Sequence, residues 1–400
     1  MGVTPADAAH TPISSSVLLL DAQRYQSAGE YLERAASHGG GRVQVVVTLH
    51  ARFTPDLRVL EYGLLLDRRR SWQDASNFRP MSADLCAWLE ARLTDLFAAA
   101  ARRGLSIAVL PHLDAAGPVQ EWRNRYDFAP DALHKGFSYT TALIEPTLRA
   151  LNAAGGDQQT WFAVCGEMGR SVFKHPDAYH RLLSRVRRDR PATNMAVGLS
   201  LNFREIDGGQ ALTTKSRRKL QHLLDACDFL GFSNYRPFAP PPTPKLFADA
   251  TAGFLDELRT RGLSPPRVPL HFSELGLGGG DAPAGKETPL AAAQKPWAGV
   301  GAGRRNPWTP AAMIELRRAY YGALIEFLAG NPSHGPDHNL PQRPAAVFLW
   351  SESSWEPLGV DTVRFADPEI THAIRRHNQN LSEPMSDPPG PFVEEPQARP

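Results

Sequence analysis

Cysteine is scarce in this chain. There are three in 400 residues, Cys86, Cys165 and Cys227, far apart and odd in number. No CxxC pair exists, so a cysteine zinc knuckle is excluded and a disulfide framework is not indicated. A dominant charge is also missing. The 44 basic and 42 acidic residues leave a net charge of +2 and no polybasic footprint for nucleic acid. No apolar run reaches the roughly 18 residues that a membrane span needs. Residues Met1 to Ser16 lack the charged-then-apolar pattern of a secretion signal. As written, the chain is expected in the cytoplasm; a periplasmic or secreted location would require a signal already removed. No period of about 20 to 50 residues repeats, which argues against solenoids and propellers.

Glycine and proline, by contrast, are plentiful. Together they make up about 17 per cent of the chain, against an average of roughly 12 per cent. Hydrophobic residues account for 42% and suffice for a sizeable core. Short apolar runs alternate with longer amphipathic stretches. The runs begin at Val17, Val43, Ile107, Trp161, Met195, Phe229, Val268 and Ala346, which makes eight strands. Helix-period segments span Ala83 to Arg103, Tyr139 to Ala153, Asp177 to Arg188, Lys215 to Ala226, Phe247 to Arg261 and Pro310 to Leu328. Length alone allows two or three domains. Eight βα units predict one α/β domain instead, a (β/α)8 TIM barrel over residues 15–380. A doubly wound open sheet is the alternative; the count of eight and the polar clusters after the strands favour the barrel. Residues 1–14 read as an N-terminal extension and 381–400 as a disordered Pro-rich acidic tail. Gly278 to Asn306 reads as a long loop after the seventh strand.

A barrel of this kind keeps its chemistry at the carboxyl ends of its strands. Two carboxylates stand out there, Glu167 after strand four and Glu274 after strand seven. Alternation predicts that Cys165 and Ala163 line the barrel beneath Glu167. It likewise puts Phe272 and Leu270 beneath Glu274, with His271 turned toward the helices. Two opposed carboxyls are what glycoside hydrolysis requires: one as general acid, the other as nucleophile or base. Retaining enzymes hold the pair roughly 5–5.5 Å apart.

These residues carry a resemblance. The layout resembles glycoside hydrolase clan A, the retaining (β/α)8 glycosidases, and is most similar to the family 113 β-mannanase type. The likeness rests on Val109-Leu110-Pro111-His112-Leu113-Asp114 with Trp122 downstream, on Asp228 through Tyr235, and on Ser273-Glu274-Leu275-Gly276. It implies that Glu167 is the acid/base, that Glu274 is the nucleophile, and that Trp350 floors the sugar site. One position departs from the clan, which commonly has Asn before the acid/base Glu. Here it is Gly166, which has no side chain to reach a sugar hydroxyl.

The remaining strand-end residues form a supporting cast. A Tyr235 phenol next to strand seven could hydrogen-bond Glu274 and hold it ionised. Trp350 offers a flat apolar face to a pyranose ring. His112 and Asp114 share one strand face and could bind hydroxyls, and Asn202, Arg52 and Glu352 are candidates of the same kind. Trp72, Trp122, Trp297 and Trp308 fall in loops or helix starts on the same face, where they would either line a polysaccharide cleft or pin loops. His50, His112 and His271 raise a metallohydrolase reading, but no HxH pair ends the first strand, and neither metal nor cofactor is expected. The expected partner is an oligo- or polysaccharide, with no nucleic acid and no membrane span, and the chain reads as a monomer. A barrel that kept the cleft and lost the chemistry, a glycan-binding protein, is the alternative to a hydrolase.

Overall fold

The computed structural model describes residues 11–71, 74–189, 194–283, 285–301, 303–330 and 343–381. The expected acidic tail, most of the expected N-terminal extension and Trp72 lie outside these residues.

Among the described residues ten strands follow in order: β1 (Ile13–Leu19), β2 (Arg42–Phe53), β3 (Val59–Leu65), β4 (Phe78–Pro80), β5 (Ser106–Ala115), β6 (Thr160–Gly166), β7 (Met195–Asn202), β8 (Leu230–Asn234), β9 (Leu270–Leu275) and β10 (Ala346–Leu349). Eight of them, β1, β2 and β5 to β10, pair in parallel, and the β1–β2 and β1–β10 pairings close the ring. The fold is a (β/α)8 barrel, and its eight strands are those that the apolar runs mark. The six periodic helices also appear, over Ala83–Arg102, Thr140–Ala154, Pro176–Arg188, Thr214–Asp225, Lys245–Thr260 and Ala311–Ala329. The hairpin β3–β4 is an addition that the sequence reading does not contain. It extends β2 beyond the barrel in antiparallel pairing. β1 begins at Ile13, inside the stretch expected to precede the barrel. Asn378, from the helix Pro368–Asn380, bonds both the amide and the carbonyl of Ile13, which ties the last described helix to the first strand.

The interior is divided as the two faces of a closed sheet demand. A large apolar cluster lies between strands and helices. Smaller clusters fill the barrel, with Leu18, Val46, Ala108, Leu110, Ala163, Phe229 and Phe348 among them. His271 lies in this inner layer, stacked on Phe229 at 4.5 Å and edge-on to Trp161. Cys165, Leu270 and Phe272 pack on the helix side. The parity expected from simple alternation therefore holds for Ala163 and fails for these four.

The physical reason is a bulge in each of the two strands. Along β6, Ala163 pairs with Gly198 and Gly166 with Ser200, so three steps face two. Along β9, Phe272 pairs with Phe232 and Glu274 with Ser233, so two steps face one. One extra residue re-aims everything after it. Both bulges sit just below the two glutamates and turn them to the barrel mouth.

Candidate active site

At that mouth the strand ends surround a cleft of about 930 Å³. Glu167, Asn202, Tyr235, Glu274 and Trp350 lie on its floor, and Trp122, Phe203, Trp297 and Trp355 among its walls. Glu167 is the first residue past β6 and sits at φ 57, a left-handed conformation that a non-glycine residue rarely holds. Its amide bonds Ser200 O at 3.0 Å. Its carboxylate collects four neighbours. Asn202 Nδ2 donates to Oε1 at 2.7 Å, and the Ser233 hydroxyl donates to the same oxygen. Arg123 Nη1 donates to Oε2 at 2.7 Å, with Trp122 Nε1 at 3.5 Å.

Glu274 has a sparser setting. Tyr235 donates its phenol to Oε2 at 3.2 Å. His112 Nε2 stands 3.1 Å from Oε1 without hydrogen-bond alignment. Burial pushes the Glu274 carboxyl up to about 7, although the Arg123 charge and the Tyr235 hydroxyl pull it down. Burial and the nearby Arg123 charge depress His112 to about 3, so the imidazole is neutral. For Asp114 burial works upward, but the guanidinium of Arg123 prevails and holds the carboxyl at about 2.

The sequence-derived candidates thus divide. Glu167, Glu274, Tyr235, Asn202, Trp350 and Trp122 line the cleft, and His112 lies fully buried against Glu274 and Trp350. Asp114 stands beside them but is engaged by Arg123 Nε at 2.9 Å. Glu352 is held by Arg68 at 2.5 Å. Arg52 does not reach the cleft. It crosses the unexpected hairpin to Glu61 at 3.1 Å and lies over the Phe78 ring. Trp308 is a loop pin, its Nε1 on Ser354 O at 2.6 Å, whereas Trp297 is a cleft wall. The three strand-end histidines part company. His50 faces the hairpin, where its Nδ1 accepts from Leu65 N, and His271 lies in the barrel interior, which leaves His112 as the one of the three beside a cleft carboxylate, buried against Glu274. Among the described residues no three His, Cys, Asp or Glu side chains group in a way that could hold a metal ion. Cys165 is buried on the helix side, where burial pushes its thiol up to about 12.

Arg123, Ser233, Phe203 and Trp355 are site residues that the sequence reading lacks. Ser233 is foreshadowed by its place at the end of β8. Nothing in Trp122-Arg123-Asn124-Arg125 says which arginine turns inward.

Solved structures share this architecture. The GH113 β-mannanase AaManA from Alicyclobacillus acidocaldarius has a TM-score of 0.52 at 14% identity, with 92% of this chain and 97% of that one covered. This chain shares the (β/α)8 fold of that clan A enzyme. Another GH113 β-1,4-mannanase structure gives a TM-score of 0.48 at 12% identity over 93% and 99% of the two chains. A family 5 mannosidase from Rhizomucor miehei gives 0.46 at 11% over 95% of each. No family model matches the chain, and no curated protein matches it by sequence. At these identities the likeness is one of fold, and the chemistry must be argued from the cleft.

Proposed function

We propose that this barrel is a retaining glycoside hydrolase that cleaves a β-linked oligo- or polysaccharide. The observation that carries the reading is the pair Glu167 and Glu274. Two buried carboxyls end different strands, open on one cleft and are walled by aromatic rings that suit sugar faces. Glu274 attacks the anomeric carbon, and Tyr235 steadies the attacking carboxylate. Glu167 gives its proton to the leaving oxygen and then activates water to release the glycosyl-enzyme. Every neighbour of Glu167 can donate, and the Arg123, Asn202 and Trp122 nitrogens can only donate. To deliver a proton, Oε2 must exchange Arg123 for the glycosidic oxygen. β-Mannosides are the first substrates to offer, since the solved neighbours are mannanases and a mannosidase.

The test is covalent trapping followed by stereochemistry. An activated 2-fluoro β-glycoside should label Glu274. A Glu167→Ala variant given azide should release the β-glycosyl azide. Label on Glu167 would reverse the two roles. Inverted sugar as the first product would end the retaining mechanism.

A further inference from the structure

On the side of the cleft reached from β7 and β8, arginines outnumber carboxylates. Glu205 is taken by Arg125 at 2.6 Å. Arg261 answers two acids, Asp207 through Nε at 2.6 Å and Glu257 through Nη1 at 3.5 Å. The Ile206 amide also donates to Glu257, at 3.4 Å. Arg204 and Arg236 are left over: among the described residues neither forms an ion pair. Both border an annex of about 290 Å³ that shares Phe203, Arg204 and Glu257 with the cleft. Arg204 is exposed, its guanidinium 5.9 Å from the centre of the Trp297 ring on the cleft wall. Arg236 is half-buried and is seated by a missing side chain. Gly253, inside the helix Lys245–Thr260, lets Arg236 Nη1 reach the carbonyl of Asp249 at 2.7 Å. A Cβ at Gly253 would stand 2.7 Å from that nitrogen. Glycine inside a helix is unfavourable relative to alanine, so its presence here serves the guanidinium and not the helix. The annex also lies close to the chemistry. The Arg204 amide bonds Asn202 Oδ1 at 2.8 Å, and Asn202 Nδ2 donates to Glu167 at 2.7 Å. A guanidinium is always charged and can only donate, in a planar fork that matches a carboxylate. Two of them bordering one small volume, with an aromatic face beside it, suit a sugar ring that bears an acid.

We propose that Arg204 and Arg236 form an anion subsite, and that the β-linked glycan taken by the cleft contains a hexuronate whose carboxylate enters the annex. This rests on the glycosidase reading above and names its substrate class. A neutral glycan would leave both guanidinia unanswered. Glu257 borders the same annex, but Arg261 and the Ile206 amide already engage it. With the Arg125–Glu205 pair set aside, Arg204, Arg236 and Arg261 stand against Glu257 and Asp207, which leaves an excess of positive charge for the ligand to meet.

Binding read apart from turnover tests this. In the Glu274→Gln protein, titration calorimetry compares pentamers of β-1,4-mannuronate and β-1,4-glucuronate with the same pentamers after their carboxyls are reduced to alcohols. The acidic member should bind at least about tenfold tighter in about 50 mM salt. The ratio should fall toward one in about 500 mM salt. Arg204→Gln should cut it to about threefold or less. Gly253→Ala should lower it too, by moving Arg236, while Tm holds or rises because alanine favours the helix. Loss of mere packing would weaken both members alike and leave the ratio unmoved. A ratio near one before further substitution, or a ratio that neither variant lowers, overturns the proposal. The hydrolase reading fails separately. Acid-selective binding with no cleavage of either member by the wild type would uphold the subsite and end the hydrolase. Cleavage of the reduced members with equal binding of both would uphold the hydrolase and overturn the subsite.

Discussion

Arg123 holds Glu167 at 2.7 Å through Nη1 while its Nε and Nη2 hold Asp114 at 2.9 Å. One guanidinium thus spans two strand ends, and its charge also reaches Glu274. The consequence is that a residue outside the two-carboxylate pair helps set when Glu274 is ionised.

Arg123→Ala should move the acid limb of kcat/KM. Glu274 must be a carboxylate to attack, and at about 7 it is half-protonated at neutral pH. Removal of the charge that lowers it pushes that value higher, so the limb shifts to higher pH. Activity at pH 7 should fall by about tenfold or more. Arg123→Lys, which keeps the charge, should shift the limb less. A pH–rate profile from pH 5 to 9 checks this, and an unmoved limb in Arg123→Ala would remove Arg123 from the account.

Tyr235→Phe should act in the same direction with the fold intact. The phenol is buried, and its role at Glu274 is a single donated hydrogen bond at 3.2 Å. Hydrogen bonds to charged groups contribute about 1.5–3 kcal/mol. The expected loss in kcat/KM is therefore about 10- to 100-fold, with little change in Tm. A large fall in Tm at unchanged activity would make Tyr235 a packing residue.

Glu274→Gln should stabilise the fold at alkaline pH. The folded carboxyl sits near 7 against an ordinary 4.5. A raised carboxyl binds more protons folded than unfolded, so its contribution falls as pH rises from about 4.5 to 7 and stays low above 7. At pH 8 the neutral amide should be more stable than the wild type by on the order of 1–3 kcal/mol, and at pH 5.5 the gain should shrink. The comparison with the variant is essential because other groups run the opposite way. Burial holds His38 and His50 at about 4 and His112 and His271 at about 3. Each costs stability as pH drops below about 6.5. Equal Tm differences at pH 5.5 and pH 8 would contradict the Glu274 linkage.

The barrel was legible in the sequence because its strands are buried on both faces. Such strands read as compact apolar runs, and eight of them separated by periodic helices leave few architectures. The two glutamates were legible for the same reason, as charges that close apolar strands. What alternation could not carry was the bulge. A single extra residue near Cys165 or Ser273 leaves no mark in composition, yet it re-aims the glutamate that follows, so counting back from Glu167 and Glu274 gives the wrong face for Cys165, His271 and Phe272. The β3–β4 hairpin, Val59 to Pro80, hid because it packs beyond the barrel rhythm, and Arg52 went with it. Arg123 opens a short 3-10 turn, Arg123–Arg125, in which no local pattern marks the arginine that turns inward.

Gly278 offers a test of how the long loop after β9 shapes the cleft. A Cβ there would come 2.1 Å from Ala298 O, 2.5 Å from Trp355 Nε1 and 2.6 Å from its Cε2. Trp355 is a cleft wall, and its indole N–H is committed to Pro296 O at 3.1 Å. The Gly278 amide bonds the same carbonyl at 2.9 Å, and its own carbonyl accepts from Ser354. The methyl of Gly278→Ala cannot be absorbed by one side-chain rotation, because one of its neighbours is backbone. Overpacking of this kind costs typically about 1–3 kcal/mol, so Tm should fall. Displacement of the Trp355 wall should also raise KM on aryl glycosides severalfold while kcat changes less, since Glu167 follows another strand and Glu274 is held within β9, ahead of the loop. Gly301→Ala is the internal control. Gly301 lies further along the same loop with nothing within 4 Å of its Cβ, and the substitution should leave Tm and KM as they are. Matching effects in the two variants would mean that the loop as a whole, rather than the Gly278–Trp355 contact, shapes the cleft wall.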